Sequence, residues 1–480
     1  MTLLKTLLAV ALTLFTACVT AADRPNIVLI LMDDMGWRDV GFMGNTFTET
    51  PNLDRLAAGG LVFSQAYASA PNCAPTRACL MSGQYTPRHG IYTVVDPRQP
   101  PGSPWQKLLA SDSQSELDTR IVTVAESLRD GGYATGFFGM WNLGRGRSGP
   151  VTPGGQGFET VVFPENLGFG KDQYFDDAGN YLSDRLTDSV LQFVEKNRSG
   201  PFFVYLPDHA VHAPYNPKPD LLKKYEQKLQ QTGDRRDSAE AAATVEAVDQ
   251  NVGRIMDGLK SMNLLENTIV IFTSDNGGTP QFTAPLKGSK GQLYEGGIRV
   301  PLVVSWPGLK NPGRTTPVPV SSVDWYPTLL ELAGLTAPQG QIQDGVSLMP
   351  LFRGSDTLQR DRLFWHFPCY VGRATPSSAV REGDDKLIEF FEDGGRVELY
   401  NLRDDLGELR NLAAAQSDRV HRQSRKVTKA GAKIITLSNK DMYSKSNFQD
   451  SARFQEVDIA IAGDGESSLP LLIEYVKKAL

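Results

Sequence analysis

Short runs of apolar residues alternate along the chain with amphipathic stretches. Residues 26–32 form a continuous run rich in Ile, Val and Leu, which is typical of a strand buried on both faces. Similar runs and helical patterns follow in turn, with strands predicted over 201–206, 268–273 and 300–305, and helices over 51–58, 122–129, 182–196 and 239–261. Strands that alternate with helices predict an α/β fold.

The pattern changes after about residue 352 to shorter and more polar strands. Residues 386–391 and 396–400 are two such segments, separated by Gly394 and Gly395. Short strands bounded by turn residues are typical of an antiparallel sheet. We therefore predict a small antiparallel α+β subdomain after the large α/β domain.

Oxygen-bearing side chains follow two of the apolar runs. Asp33 and Asp34 follow the first run, and Asp275 and Asn276 follow the strand predicted over residues 268–273. In open parallel sheets, ligands bind at the carboxyl ends of the strands. Oxygen ligands favour Ca²⁺ or Mg²⁺ over zinc, so these side chains predict a metal site. The alternative is that they are only polar strand ends.

The segment from Cys73 to Arg77 reads Cys-Ala-Pro-Thr-Arg and predicts the start of a helix that stops at Gly83. Proline suits the first helical turn, and glycine suits the position after the last one. We expect the positive helix end and Arg77 to lower the pKa of the Cys73 thiol. A structural cysteine before an ordinary helix is the alternative.

The charge pattern and the first residues bear on partners and location. The net charge is -6 and no dense basic run occurs, so we expect no nucleic-acid partner. Residues 1–22 combine Lys5, an apolar run and small residues up to Ala22, which predicts a cleaved export signal. No other apolar stretch is long enough for a membrane span. The mature chain is then periplasmic or secreted, with lipid anchoring through Cys18 as the alternative.

Cleavage of that signal leaves an odd number of cysteines, Cys73, Cys79 and Cys369, so at least one is unpaired or modified. Cys73 is the candidate. If it converges with the metal site and with basic side chains, the site combines a nucleophile, a proton donor and several cations. That combination suits cleavage of an anionic ester.

Several short motifs occur in a specific order along the chain. They are Arg24-Pro25-Asn26-Ile27 before Asp33-Asp34, Thr50-Pro51-Asn52-Leu53-Asp54, the segment from Cys73 to Arg77, His212-Ala213-Pro214, Asp275-Asn276-Gly277-Gly278, and the glycine-rich residues 287–297. In this order they resemble the type I sulfatases of the alkaline phosphatase superfamily, over about residues 24–428. The resemblance implies a large mixed, mostly parallel sheet flanked by helices, with a small C-terminal antiparallel α+β subdomain.

The resemblance also implies the chemistry, which is hydrolysis of a sulfated carbohydrate or an aryl sulfate. Cys73 would be converted to formylglycine by a formylglycine-generating maturation enzyme, and the hydrate of that aldehyde would attack sulfur. One calcium ion would be bound by the residue at position 73 together with Asp33, Asp34, Asp275 and Asn276.

Further residues would act on the sulfate ester itself. By the same resemblance, Arg77 steadies the hydrate and Lys290 binds the sulfate oxygens. His212 protonates the departing alcohol, because an alkoxide is a poor leaving group at neutral pH. Lys287 and His209 are candidates for substrate binding, with a solvated surface charge and a structural histidine as the respective alternatives.

Residues 139–144 depart from the family segment that they match. The family has lysine where this chain has Met140 and histidine where it has Asn142. Loss of the lysine removes a contact to an oxyanion, which is worth about 10²- to 10³-fold. Asn142, a candidate for substrate binding, cannot act as the base that regenerates the aldehyde. We therefore expect the first transfer of sulfate to the enzyme to be less impaired than repeated turnover, which requires the aldehyde to be regenerated.

The last part of the chain looks foreign to this family and faintly resembles a fragment of thiamine diphosphate enzymes. It contains possible strands over 433–437 and 457–461 and a helical pattern over 468–478, without a signature for that cofactor. We predict four parts of the chain: a signal peptide over 1–22, a sulfatase catalytic domain over 23–355, a small subdomain over 356–430 and an atypical tail over 431–480.

Two other functions remain open at this point. One is hydrolysis of a phosphodiester or phosphonate ester on the same fold, and the other is binding of sulfated glycans without catalysis. The loops expected around the pocket, over residues 96–115 and 165–177, carry no pattern specific to one substrate. Trp105 and Tyr174 in these loops could stack on a sugar ring or serve local packing.

Overall fold

A computed structural model of the chain describes residues 24–94, 106–108, 111–170, 173–233, 238–279, 283–371, 374–392, 396–420, 435–437 and 459–461. The predicted export signal, Cys18 and Trp105 lie outside the described residues.

An eight-stranded sheet forms the core of the larger unit. Its strands and a separate short pair are β1 (Asn26–Met32), β2 (Leu61–Phe63), β3 (Ala66–Tyr67), β4 (Ala134–Phe138), β5 (Thr160–Val162), β6 (Phe202–Pro207), β7 (Thr268–Ser274), β8 (Leu302–Ser305), β9 (Arg314–Thr316) and β10 (Val320–Ser321). The sheet order is β5-β4-β6-β1-β7-β8-β2-β9, while β3 pairs with β10. Within this order β8 alone is antiparallel to its neighbours. The expected mixed, mostly parallel sheet is confirmed.

The two central strands are β1 and β7, and all their residues are buried. They are parallel and in register, with Met32 opposite Ser274, so both strands end at the same edge of the sheet. The predicted first strand has the same bounds as β1. The other predicted strands are shifted by one or two residues at their ends, because apolar runs define a strand's centre better than its ends.

Helices cover both faces of the sheet. They are α1 (Pro51–Ala58), α2 (Cys73–Ser82), α3 (Thr86–His89), α4 (Val124–Asp130), α5 (Leu182–Asn197), α6 (Pro219–Thr232), α7 (Ala239–Ser261), α8 (Glu295–Ile298), α9 (Trp325–Leu332) and α10 (Met349–Phe352). Alternate residues of β1 pack into two clusters, one shared with α2, α4 and α9 and the other with α1, α5 and α7. Among the described helices, none is sufficiently long and apolar to span a membrane.

A small antiparallel sheet follows, as predicted. It consists of β11 (Arg362–Phe367), β12 (Ser377–Glu382), β13 (Asp385–Phe390) and β14 (Arg396–Asn401) in chain order. It belongs to the same compact unit as the large sheet, and this unit extends to Asn411. The predicted division at residue 355 stays a prediction.

A second unit comprises residues 412–480. Its described strands, β15 (Ile435–Leu437) and β16 (Ile459–Ile461), form a parallel pair at the two places predicted to be strands. The predicted helix over 468–478 lies outside the described residues.

A buried ion-pair network connects β13 to α8. Lys386 Nζ lies 2.9 Å from Glu295 Oε1 and 3.0 Å from Glu408 Oε1, and all three side chains are fully buried. Glu295 also accepts a hydrogen bond of 2.9 Å from the Tyr67 hydroxyl. Although burial opposes ionisation, Lys386 holds the pKa of Glu295 below its usual value. Because Glu295 begins α8, the network anchors the end of the loop of residues 287–294 to the small sheet.

Replacing Lys386 by methionine removes the ion pair of buried Glu408 and leaves Arg299, whose Nε lies 3.5 Å from Glu295 Oε2, as the remaining ion-pair partner of Glu295. We expect Lys386→Met to lower the free energy of unfolding by about 3 to 5 kcal/mol, measured by urea denaturation. Lys196→Met, on the exposed last turn of α5, is the matched control and should change it by less than about 0.5 kcal/mol. Equal stabilities of the two variants would contradict this account of the network.

Candidate functional site

The polar residues after β1 and β7 meet at one edge of the large sheet. Asp33, Asp34, Asp275 and Asn276 are each exposed by 4% or less. Asp34 has a φ of 63°, and its N–H donates to Asp275 Oδ1 at 3.3 Å. The Asn276 amide donates to Asp34 Oδ1 at 2.7 Å. The convergence expected from the two strand ends is therefore present.

Helix α2 places Cys73 against this edge. The helix begins at Cys73, whose N–H donates to the Asn72 side chain at 2.8 Å, and it ends before Gly83, which has a φ of 70°. The Cys73 thiol donates to Asp33 Oδ1 at 3.2 Å. The Cys73 sulfur and one oxygen each from Asp33, Asp34 and Asp275 all lie within 4.8 Å of one another. Cys73, Cys79 and Cys369 are all free thiols.

The expectation that the pKa of the Cys73 thiol is lowered is wrong for the unmodified side chain. Burial raises its pKa well above the usual value, and the nearby carboxylates of Asp275 and Asp33 raise it further. The positive end of α2 does not lower this pKa, because the charge of Arg77 is already paired with Asp33 and Asp275. The Cys73 side chain therefore stays a neutral thiol that donates to a carboxylate.

Arg77 joins the two strand ends. Its Nη2 donates to Asp33 Oδ2 and to Asp275 Oδ2, both at 2.8 Å, and its Nε donates to the same Asp275 oxygen at 2.9 Å. Its Nη1 donates to the carbonyl of Met140 at 2.5 Å. Although burial opposes the charge, Asp275 and Asp33 raise the pKa of Arg77, so the guanidinium stays charged.

Lys290 approaches the cluster from the loop after β7. Its Nζ lies 2.6 Å from Asp34 Oδ1 and 4.0 Å from Asp33 Oδ1. Backbone bonds from Lys290 to Gly278 and from Gly291 to Pro71, of 3.0 and 2.7 Å, hold the loop in place. The side chain is 18% exposed, so the ammonium reaches both the carboxylates and solvent.

His212 lies at the open side of the cluster. Its Nε2 is 3.7 Å from Asp34 Oδ2, and its side chain is 36% exposed. Its Nδ1 donates to the carbonyl of Ala213 at 2.5 Å. His209 is buried, and its ring stacks on that of His212 with a centroid separation of 5.2 Å.

Two candidates for substrate binding lie apart from these contacts. Lys287 donates to the Tyr400 hydroxyl at 2.9 Å and lies 4.1 Å from the Tyr294 ring centroid. Within the described part of the chain, no hydrogen bond or ion pair joins Lys287 to the carboxylate cluster. Asn142 is half-buried with a φ of 61°, two residues after the carbonyl that Arg77 binds.

Sequence reasoning missed two supporting residues. Asn72 caps α2, and an asparagine directly before a predicted helix was the available signal. Tyr174 is only 1% exposed, and its hydroxyl donates to the backbone carbonyl of His212 at 2.5 Å. Burial excludes stacking of Tyr174 on a sugar ring and agrees with the alternative, local packing. A loop aromatic carries no sequence signal for such a contact.

Comparisons with known proteins agree with the fold and the motifs. A family model described as Sulfatase matches residues 25–335, and a model described as N-sulphoglucosamine sulphohydrolase, C-terminal, matches residues 289–431.

Individual proteins are similar over most of the chain. A sulfatase of Formosa agariphila is 35% identical, covering 82% of this chain and 85% of its own length. Arylsulfatase A of Homo sapiens is 33% identical, covering 79% and 77%. The crystal structure of Ps i-CgsB superposes with a TM-score of 0.70 at 28% identity, covering 84% of this chain and 92% of that one. The chain belongs to the sulfatase family of sulfuric ester hydrolases.

Proposed function

We propose that this protein hydrolyses carbohydrate or aryl sulfate esters with a calcium ion and a formylglycine at position 73. The observation that carries the proposal is the buried cluster in which the Cys73 side chain meets three carboxylates. In this cluster the Cys73 sulfur stands where the oxygens of the modified side chain would lie. When present, the hydrated aldehyde supplies the hydroxyl nucleophile and the calcium ion supplies positive charge.

The residues present fit a hard divalent cation. Among the described residues, the cluster sets the carboxylates of Asp33, Asp34 and Asp275 against two cations, Arg77 and Lys290. An ionised cluster therefore keeps an excess of negative charge. The Oδ1 atom of Asn276 is also buried without a hydrogen-bond partner in the described structure. A cation with oxygen ligands would satisfy both features, with Asp33, Asp34, Asp275 and Asn276 holding it beside residue 73.

Arg77 and Lys290 have different tasks in this proposal. Arg77 is fixed between Asp33 and Asp275, so it orients both carboxylates and lies beside the nucleophile at position 73. Lys290 is partly exposed, and its ammonium can exchange a carboxylate contact for the sulfate oxygens of a substrate. An ammonium at that position stabilises negative charge that builds up on those oxygens.

His212 is the proposed general acid. Its Nδ1 donates to the Ala213 carbonyl, which leaves Nε2 as the atom that faces Asp34 and the open side. A proton at Nε2 can pass to the departing alkoxide, and such transfer contributes about 10²- to 10⁴-fold. His209, Asn142 and Lys287 remain proposals for substrate contact, and the observed positions of His209 and Lys287 favour a supporting role.

The other parts of the proposal follow from the sequence patterns. Formation of formylglycine at Cys73 requires a maturation enzyme as a partner. Residues 1–22 are proposed to be an export signal, which would bring the chain to a periplasm or secrete it.

Calcium binding is tested by removing one carboxylate charge. We expect Asp275→Asn to weaken calcium binding by more than about 10-fold, since even outer-shell changes at metal sites cost about 10- to 100-fold. Isothermal titration of the metal-free protein with calcium chloride measures this affinity. Asp249→Asn alters a buried carboxylate that caps α1 and is the matched control, which should keep the wild-type affinity. Equal affinities of the two variants, or no calcium uptake by the wild type, would contradict the metal site.

The activity is tested with protein produced together with a formylglycine-generating enzyme. Peptide mass spectrometry over position 73 should show replacement of the thiol by an aldehyde, and the protein should hydrolyse an aryl sulfate faster than the matching aryl phosphonate. Cys73→Ala should lose this hydrolysis. Faster hydrolysis of the phosphonate would favour the alternative of a phosphonate ester hydrolase. Binding of sulfated saccharides without product would favour the alternative of a sulfated-glycan-binding protein without catalysis.

Met140 and Asn142, which replace the lysine and histidine of the family, predict that the first transfer of sulfate to residue 73 is fast and that its release from the enzyme is slow. Stopped-flow assays of an aryl sulfate should show a burst followed by a slow steady state. We expect the double variant Met140→Lys, Asn142→His to raise the steady-state rate by about 10²-fold, since it restores a cation and a base. Arg145→Lys, an exposed substitution nearby, should leave the rate unchanged. A linear time course in the wild type, or no gain in the double variant, would contradict this interpretation.

A further inference from the structure

Four aromatic rings form a continuous row that leads from the core to His212. The centroids of Tyr181 and Tyr174 are 6.0 Å apart with an interplanar angle of 26°. Tyr174 lies 5.4 Å from His209, and His209 lies 5.2 Å from His212 at an angle of 25°. The first three residues are buried, and only His212 is substantially exposed. Tyr174 and His209 are tilted by 44°, and the buried His209 ring covers one side of the His212 ring.

The backbone of His212 is fixed by the same stack. The Tyr174 hydroxyl donates to the His212 carbonyl at 2.5 Å, and the His212 N–H donates to the His209 carbonyl at 3.0 Å. Burial raises the pKa of Tyr174, so its hydroxyl stays protonated and remains a donor. Tyr181 differs in this respect, because its buried hydroxyl has no hydrogen-bond partner among the described residues.

The segment before His212 is joined to the cluster itself. Asp33 donates from its N–H to the Ala210 carbonyl at 3.0 Å, and Val211 donates to the Asp33 carbonyl at 2.8 Å. Asp208 accepts hydrogen bonds from Ser183 and from the Ala210 N–H. Residues 208–211 therefore have a fixed position relative to Asp33, and the hydrogen bond from Tyr174 extends this restraint to the His212 carbonyl.

We propose that Tyr174 is a positioning residue that holds His212 for proton transfer, through its hydrogen bond to the His212 carbonyl and through the His209 ring. This inference rests on the proposed function of His212. It assigns the buried His209 a supporting role and not substrate contact. Since a small misplacement of a reacting group can cost about 10²-fold, loss of one hydrogen bond should reduce the benefit of the acid without removing it.

Leaving-group dependence separates positioning from general damage to the fold. An ester with an acidic phenol, p-nitrophenyl sulfate, needs little help from an acid, whereas p-methoxyphenyl sulfate needs more. We expect Tyr174→Phe to lower kcat/KM for the second ester by about 10-fold and to leave the first nearly unchanged, because part of the contribution of the acid is lost. Because kcat/KM includes steps only up to the first irreversible one, slow product release does not obscure it.

Tyr181→Phe is the matched control. Tyr181 belongs to the same row of rings, but its hydroxyl makes no hydrogen bond in the described structure. The leaving-group dependence of Tyr181→Phe should therefore equal that of the wild type. Melting temperature and calcium affinity, measured for both variants, show whether the fold and the metal site are intact. If Tyr174→Phe does not fold, His209→Ala provides the test, because it removes the ring that stacks on His212 and should steepen the dependence while Tyr181→Phe does not.

The result for His212→Asn separates the role of His212 as general acid from the role of Tyr174 in positioning it. If His212→Asn steepens the leaving-group dependence while Tyr174→Phe, or His209→Ala in its place, leaves it at the wild-type value, the positioning role is wrong and the acid stands. If His212→Asn itself shows the wild-type dependence, His212 is not the acid, and the proposed function fails at that residue. A steeper dependence in Tyr174→Phe and in His212→Asn, but not in Tyr181→Phe, supports the inference.

Discussion

Like charges buried in one small volume constrain this structure more than any other feature. Two carboxylates about 4 Å apart repel each other by about 4 kcal/mol at an effective dielectric constant of about 20. Asp33, Asp34 and Asp275 meet within such distances at the ends of β1 and β7. Arg77 and Lys290 offset part of this repulsion, and a bound divalent cation would offset the rest.

The arrangement of elements around the sheet edge follows from this constraint. Register between β1 and β7 sets the carboxylates level with one another, and α2 brings Arg77 between them. The loop that carries Lys290 is fixed at its other end by the buried Lys386 network, so the small sheet supports the large one at the site. A local substitution in either sheet can therefore alter the same cluster.

Much of this arrangement could be predicted from the sequence, because it depends on strong local patterns. Continuous apolar runs identified β1 and β7, and their polar ends identified the cluster. Helices α1 and α7 have the predicted bounds. The thiol pKa of Cys73 could not be predicted in this way, because it depends on carboxylates brought together from distant segments. Lys287 and Lys290 look alike on one loop, and only the position of β14 shows that Lys287 contacts Tyr400. The supporting role of Tyr174 depends on its hydrogen bond to the His212 carbonyl, and this contact between distant segments has no local sequence signal.

The central claim is that these oxygens form one cage for a hard cation beside position 73. A crystal structure of the protein grown with calcium chloride tests it most directly. The account predicts one ion within about 2.3 to 2.6 Å of oxygens from Asp33, Asp34, Asp275 and Asn276, with the Asn276 Oδ1 atom among the ligands. A calcium-soaked crystal with no ion there, or with an ion that Asn276 does not contact, would contradict the account.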